Sequence, residues 1–300
     1  MTTWIARPRS RSSQKTAAFT GEGAYHGSTR PRSAPTVPPP VVAEARATTL
    51  ERYEQTGQTH IEGFEAHFPN HYAVVEQLPV PSQAEIESDQ VTFCWTPLEE
   101  ALAAAGPLTR SVIEAMARHV ARHKRFIYID SKLQYFEAGD LPVDSRLWHI
   151  DGSIATRGPR AQRLGHDLLH DLRARQAHPD PPRFLAYQSS THCATQFLVE
   201  PVSLHLPELT PDFEAVDQAV RGLASARPSA RAIAQPAGSI VAFDGRTLHR
   251  AVPATAAGWR LWVRCTATDR EIRVDASMLD CYGTVFRPGG ATHTSTTTAR

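Results

Sequence analysis

The sequence predicts a mainly β domain with flanking helices, its strands wound as a double-stranded β-helix, the jelly roll of cupin-like architectures. Three observations lead there. Short runs rich in aromatic and β-branched residues recur after residue 125: Phe126-Ile127-Tyr128-Ile129, Arg183 to Gln188, Thr195 to Val199, Ile240 to Phe243 and Trp259 to Thr266. Helical spacing is limited to a few stretches before and between those runs. A closed or double-sheet arrangement also brings strands distant in sequence to one barrel mouth, as the polar residues discussed below require.

Residues 1–45 are rich in Ser, Thr, Pro and Arg and end near Pro38-Pro39-Pro40, a composition that buries too little apolar surface to order itself. They read as a disordered leader, ahead of a single domain over 46–288 whose jelly-roll core spans about 125–270. A flexible tail over 289–300 follows. The stretch from Thr49 to Pro81 is mixed and predicts little. Thr96 reads as a helix cap, with Pro97 at the first helical position and Glu99 and Glu100 in the first turn. That helix stops at Gly106-Pro107. A second follows, with Leu108, Val112, Ile113, Met116 and Val120 on its apolar face and His119 and His123 on its basic face.

Phe126 to Ile129 should be a strand with two apolar faces. Asp130-Ser131 should then turn the chain into a shorter strand over Leu133 to Phe136. A polar insertion, Gly152 to Pro182, carries Arg157, Arg160 and Arg163 and a short helix around His166 to Arg175. A helix from Pro211 to Ala224 starts at Thr210.

A formal net charge of +1 gives no basic footprint, so nothing argues for a nucleic-acid partner. No apolar run approaches the roughly 20 residues of a membrane span. The Arg- and Ser-rich start faintly resembles a transit peptide, but it lacks a hydrophobic signal core and reads more simply as an unstructured arm. Four cysteines without a C-x-x-C pair match no zinc ribbon or disulfide scaffold. Reduced thiols in a cytoplasmic protein are expected. Oligomeric state is unreadable.

The chemistry gathers at Trp148-His149-Ile150-Asp151-Gly152. On a strand His149 and Asp151 leave one face, while Trp148 and Ile150 enter the core behind. His249 lies 98 residues past Asp151, and Arg260 eleven residues past His249. Two histidines and a carboxylate on one side of a metal, with open positions opposite, form the site of non-haem Fe(II) oxygenases. Arg260, Trp262 and Arg264 share one strand face. Arg260 could take the far carboxylate of a dicarboxylate co-substrate in a two-pronged contact, and Trp262 and Arg264 are the candidates for substrate contact. His166 and His170 stand four apart as in zinc proteases, but Asp167 replaces the glutamate that motif needs as general base. His192 and His205 read as loop histidines.

The order His149-x-Asp151, Arg183-Phe-Leu-Ala-Tyr187, Thr195-x-Phe197, Gly238, Phe243, His249, Pro253, Gly258-Trp-Arg260 resembles the Fe(II)/2-oxoglutarate-dependent oxygenases, most nearly their prolyl-hydroxylase-like branch. The resemblance implies Fe(II) as metal, 2-oxoglutarate and O2 as co-substrates, and a small-molecule or amino-acid-like substrate. It also implies hydroxyls of Tyr187 and Thr195 near the 2-oxoglutarate carboxylate. Halogenating members carry a small residue at the acidic ligand position, so Asp151 implies hydroxylation, desaturation or cyclisation. The alternative is a non-catalytic cupin-like protein that binds or senses a metal without turnover.

Overall fold

Alternation between two antiparallel sheets organises the chain. A computed structural model describes residues 63–89, 92–143, 146–151, 179–207, 214–226, 231–272, 284–287 and 292–294. The strands are β1 (Gly63–Phe68), β2 (Tyr72–Gln77), β3 (Thr96–Pro97), β4 (Phe126–Phe136), β5 (Arg183–Gln188), β6 (Thr195–Leu198) and β7 (Val202–Pro207). They continue with β8 (Ala232–Ala234), β9 (Ser239–Asp244), β10 (His249–Ala251), β11 (Gly258–Thr268), β12 (Thr284–Phe286) and β13 (Thr292–Thr294). The helices are α1 (Gln83–Ser88), α2 (Leu98–Ala104), α3 (Pro107–His119) and α4 (Glu214–Ala226).

A six-stranded sheet has the order β2-β9-β5-β11-β4-β3, and a smaller one the order β10-β6-β8. An isolated bridge adds His149 to β10. Between β4 and β11 the chain passes back and forth between these two sheets: β4 in the larger, His149 beside the smaller, β5 in the larger, β6 and β8 in the smaller, then β9, β10 and β11 alternately, while β7 pairs with β1 apart from both. This mainly antiparallel, jelly-roll arrangement is the fold that the strand pattern predicts.

Parity divides each strand between two environments. On the outer face of the larger sheet, Ile129, Leu133, Leu185, Tyr187, Ile240, Leu261 and Val263 pack against Ile86, Val112, Ile113 and Met116 of α1 and α3. Each large apolar side chain buried this way contributes about 1.5–3 kcal/mol. On the inner face, Phe184, Ala186, Val241 and Phe243 meet Phe197 of the smaller sheet. Behind the smaller sheet, Trp148, Ile150, Leu198 and Leu248 pack with Leu204 and Leu206 of β7 and Val216 and Val220 of α4.

Local chemistry explains the helix starts. Ser82 and Glu85 form a reciprocal capping box at α1. The first turn of α3 is capped from outside: Asp89 Oδ2 accepts from the Thr109 N–H at 2.5 Å and from its hydroxyl at 2.6 Å. A Cβ on Gly106 would lie 1.6 Å from Asp89 Oδ1, so glycine is what admits this carboxylate.

Several expectations need correction. Asp130-Ser131 does not turn the chain; β4 runs unbroken through it. The two polar side chains are used inside the strand, where Ser131 Oγ accepts from Phe93 N–H at 2.9 Å and Asp130 Oδ1 from Trp95 N–H at 3.0 Å. Thr96 and Pro97 pair with β4 rather than opening a helix, so α2 begins one residue later than Pro97. α3 ends at His119, leaving His123 outside it. β1, β2 and β7 occupy stretches that the sequence left unassigned. Thr292–Thr294, within the segment expected to be a tail, pair with β12. The expected leader, the short helix around His166 to Arg175, and Arg157, Arg160 and Arg163 lie outside the described residues. Cys193 and Cys265 are buried free thiols. Among the described residues no helix is long and apolar enough to cross a membrane.

Lys124 forms a charged cluster with Asp180 and Asp269. Its ammonium lies 2.7 Å from Asp180 Oδ2 and 2.8 Å from Asp269 Oδ2. Burial works against the charge on Lys124, but its bonds to Asp180 and Asp269 outweigh that and raise its pKa above 10.5. The bond to Lys124 holds both carboxyls below 3.8. The carboxylates therefore stabilise the fold above the ordinary carboxylate range and stop doing so as pH falls through their depressed values. The lysine's contribution is complete below 10.5 and is lost as pH rises through its elevated value. Lys124→Met should accordingly lower the urea midpoint across neutral pH, and the gap to wild type should close at both extremes.

Candidate metal centre

His149 and His249 face one another across the bridge. His149 N–H donates to His249 O at 3.0 Å, and His249 N–H donates to His149 O at 3.0 Å. Residues paired directly across antiparallel strands project to the same side, and here the two rings lie 4.5 Å apart. Asp151, two residues beyond His149, returns to that side, with Oδ2 at 3.4 Å from His249 Nε2. One donor atom from each of His149, Asp151 and His249 lies within 4.8 Å of the others. With bonds of about 2 Å, one metal ion can reach all three. Trp148 and Ile150 point the other way and are buried, as strand alternation requires.

Both histidines have a defined tautomer. His149 Nδ1 lies 2.8 Å from Leu147 O, and His249 Nδ1 lies 3.0 Å from Thr247 O. A carbonyl oxygen only accepts, so each Nδ1 carries the proton and each Nε2 keeps its lone pair for a metal. The His249 ring packs on Phe197, with centroids 5.5 Å apart, and against the edge of Phe243 at 5.4 Å.

The backbone around these residues is held from several directions. Asn70, buried at a positive φ of 51°, accepts from Leu248 N–H at 2.9 Å through Oδ1. Its amide donates to Glu200 O at 2.6 Å. Asp244 closes the turn before His249 by accepting from Arg246 N–H at 2.9 Å. On the other strand Asp217 of α4 accepts from Trp148 N–H at 3.2 Å.

Electrostatics favour an ionised Asp151. Burial alone would raise its pKa, but the Arg264 guanidinium, the largest opposing influence, holds it well below the usual carboxylate range. Arg264 Nη1 donates to Asp151 Oδ2, and Arg264 Nη2 to Asp130 Oδ2 at 3.0 Å. Expected to contact substrate, Arg264 is instead engaged with these two carboxylates. Trp262 lies on the same inner face, its ring 5.3 Å from the Arg264 guanidinium carbon.

Arg260 is 2% exposed and has no carboxylate partner among the described residues. Its Nη2 makes long contacts with Gln188 Oε1 at 3.5 Å and Thr195 Oγ1 at 3.4 Å, and its Nε has no hydrogen-bond partner there. Burial lowers its pKa. Thr195 is thus beside Arg260.

Tyr187 is not. It pairs with Val263 and Ile240 and points with them into the outer, helix-side core, the opposite face from Arg260. Its hydroxyl is buried without a partner, and burial pushes the phenol up to about 12. The next residue, Gln188, supplies the polar atoms on the inner face instead: its Oε1 accepts from Thr195 N–H at 3.0 Å as well as from Arg260.

Sequence reasoning missed Gln188, Asp130 and Asn70. Period-two counting from Phe184 would have placed Gln188 inward. Asp130 faces Arg264 in the β4–β11 register, and reading Asp130-Ser131 as a turn concealed that pairing. Asn70 carried only the signal of a residue that tolerates positive φ. His192 and His205 have local partners, Gly258 O at 3.2 Å and Glu65 Oε1 at 3.1 Å respectively.

No protein-family model matches this chain, and no curated protein sequence does. Among solved structures it is similar to AviO1 from Streptomyces viridochromogenes Tue57, at 16% identity and a TM-score of 0.29 over 78% of this chain and 86% of that one. It is similar also to HygX from Streptomyces hygroscopicus with iron bound, at 14% identity and a TM-score of 0.31 over 70% and 90% of the two chains. Likeness at this level carries no weight for function, which rests on the geometry above.

The orphan Tyr187 hydroxyl yields a direct check. Tyr187→Phe removes a buried, unsatisfied group without changing the ring, so unfolding free energy should stay equal or rise by up to about 1 kcal/mol. Affinity for 2-oxoglutarate, the co-substrate that the resemblance implies, should be unchanged; a loss would return Tyr187 to the site.

Proposed function

We propose that this protein is an Fe(II)- and 2-oxoglutarate-dependent oxygenase that hydroxylates, desaturates or cyclises a small-molecule or amino-acid-like substrate. One observation carries the reading. Three donors suited to Fe(II), two imidazole Nε2 atoms and one carboxylate, share the inner face with a buried arginine that has no acidic partner among the described residues. Neither half alone distinguishes the chemistry, since a metal triad serves many reactions. Together they fit a metal and a dianion.

The spacing supports the pairing. In the β6–β10 register Phe197 is opposite His249 and Thr195 opposite Ala251. Thr195, which touches Arg260, is therefore displaced about 7 Å along the strand from the level of His249, at roughly 3.4 Å per residue. That offset suits a five-carbon dicarboxylic acid with one end at the metal and the other on Arg260.

His149, Asp151 and His249 would hold the iron, and bound there with 2-oxoglutarate it would supply dioxygen-dependent oxidation, yielding succinate, carbon dioxide and oxidised substrate. Arg260 would grip the far carboxylate of 2-oxoglutarate, with the Thr195 hydroxyl beside it. Gln188 holds Thr195 through its backbone N–H and so sets the floor of that grip. Phe197 and Phe243 exclude water from the His249 side. Trp262 offers an aromatic wall beside Arg264 for substrate.

Purified protein given Fe(II), ascorbate and 2-oxoglutarate should bind the keto acid, and should release succinate once substrate is present. Asp151→Ala should abolish oxidation. Arg260→Gln should weaken 2-oxoglutarate at least 30-fold, because a buried charge-assisted contact of about 2 kcal/mol or more is lost. Iron binding without 2-oxoglutarate binding would favour the non-catalytic metal-binding alternative.

A further inference from the structure

Arg264 is where the larger sheet reaches the donor set. Its Nη1 donates to Asp151 Oδ2, while Nη2 and Nε lie 3.0 Å and 3.3 Å from Asp130 Oδ2. Asp130 is its direct cross-strand neighbour, with a fully buried side chain. The other oxygen of Asp130 accepts the N–H of Trp95, a bulky residue held at a φ of 48°, in the left-handed region. The faces of the guanidinium are enclosed as well. Its central carbon lies 5.0 Å from the Trp95 ring, 5.3 Å from Trp262 and 5.7 Å from Phe184.

A guanidinium reserved for a passing anion would leave an edge open toward the substrate. This one has its edges on two carboxylates and its faces on aromatic rings. Such a fork-shaped cation fixes the rotation of a carboxylate, which a point charge on a flexible stem does not.

We infer that Asp130 and Arg264 are a positioning pair for the metal centre. Arg264 fixes the Asp151 carboxylate in one rotation, so that its remaining lone pairs face the Nε2 atoms of His149 and His249. Asp130 balances the guanidinium, so that Arg264 orients Asp151 without drawing it away from the metal. Trp95 is the brace that holds Asp130. This assignment rests on the metal reading above and concerns geometry and affinity at the metal rather than contact with substrate.

Co(II) titration of the full-length protein, followed by the visible absorption bands of the bound ion, tests it without turnover. Wild type should bind Co(II). Asp130→Asn and Arg264→Lys should each bind 10- to 100-fold more weakly, the usual loss when a ligand's supporting partner is removed, and with shifted bands. Arg264→Lys keeps the positive charge and decides the matter should Asp130→Asn fail to fold. Variants that match wild type in affinity, or that bind more weakly with unaltered bands, would overturn the positioning role alone. Wild type that does not bind Co(II) would overturn the metal reading, and this inference with it.

Discussion

Two reciprocal backbone hydrogen bonds between His149 and His249 fix the register on which the site depends. A slip of one residue would turn His149 and Asp151 outward and drive Trp148 and Ile150 into the polar interior, because side chains alternate at every step. What prevents the slip lies on the far side of the strand. Trp148 and Ile150 are 3% and 2% exposed in the cluster shared with β7 and α4. Moving either into a polar setting forfeits about 1.5–3 kcal/mol. The apolar face that contributes no chemistry is therefore what holds the chemical face in place.

The inner face of the larger sheet treats its two arginines in opposite ways. They stand four residues apart on β11, so both point inward. Arg264 meets Asp130 and Asp151, and its burial is balanced by charge. Among the described residues Arg260 meets only the neutral oxygens of Gln188 and Thr195. Leaving a buried charge without a counter-charge is costly, so the sheet carries an electrostatic debt at one end and none at the other. A dianionic co-substrate would settle that imbalance on binding. The debt lies two residues along the strand from the level of His249, where a short keto acid could reach both.

What the sequence disclosed follows from what local spacing encodes. The i, i+2 placement of His149 and Asp151 was readable because strand parity is a two-residue rule, and the burial of Trp148 and Ile150 follows from the same rule. Partners set by sheet register were not readable. Nothing near Asp130 in sequence says that residue 264 lies opposite, and Asp-Ser within an apolar run looks like a turn until that register is known. Tyr187 shows the same gap from the other side. A hydroxyl close to that of Thr195 was expected of Tyr187, but strand parity sends Tyr187 into the helix-side core and gives the inward position to the amide of Gln188. Asn70 is less legible still, since it acts through Leu248 N–H, 178 residues away.

The donors of the triad also differ in what they need from their surroundings. A histidine carries a proton on one nitrogen, and here each uses it on the carbonyl two residues earlier, Leu147 O or Thr247 O. The strand backbone itself thus selects the tautomer and aims Nε2, with no supporting side chain needed. A carboxylate has no proton to offer and only accepts. Asp151 cannot orient itself on a carbonyl, so its rotation must be set by a donor from elsewhere. The nearest donor with a planar fork is Arg264, which in turn needs Asp130 to be tolerable in the interior. The cross-strand pair of Asp130 and Arg264 is therefore a consequence of ligand type: a site built from two imidazoles and one carboxylate calls for an external cation at the carboxylate only.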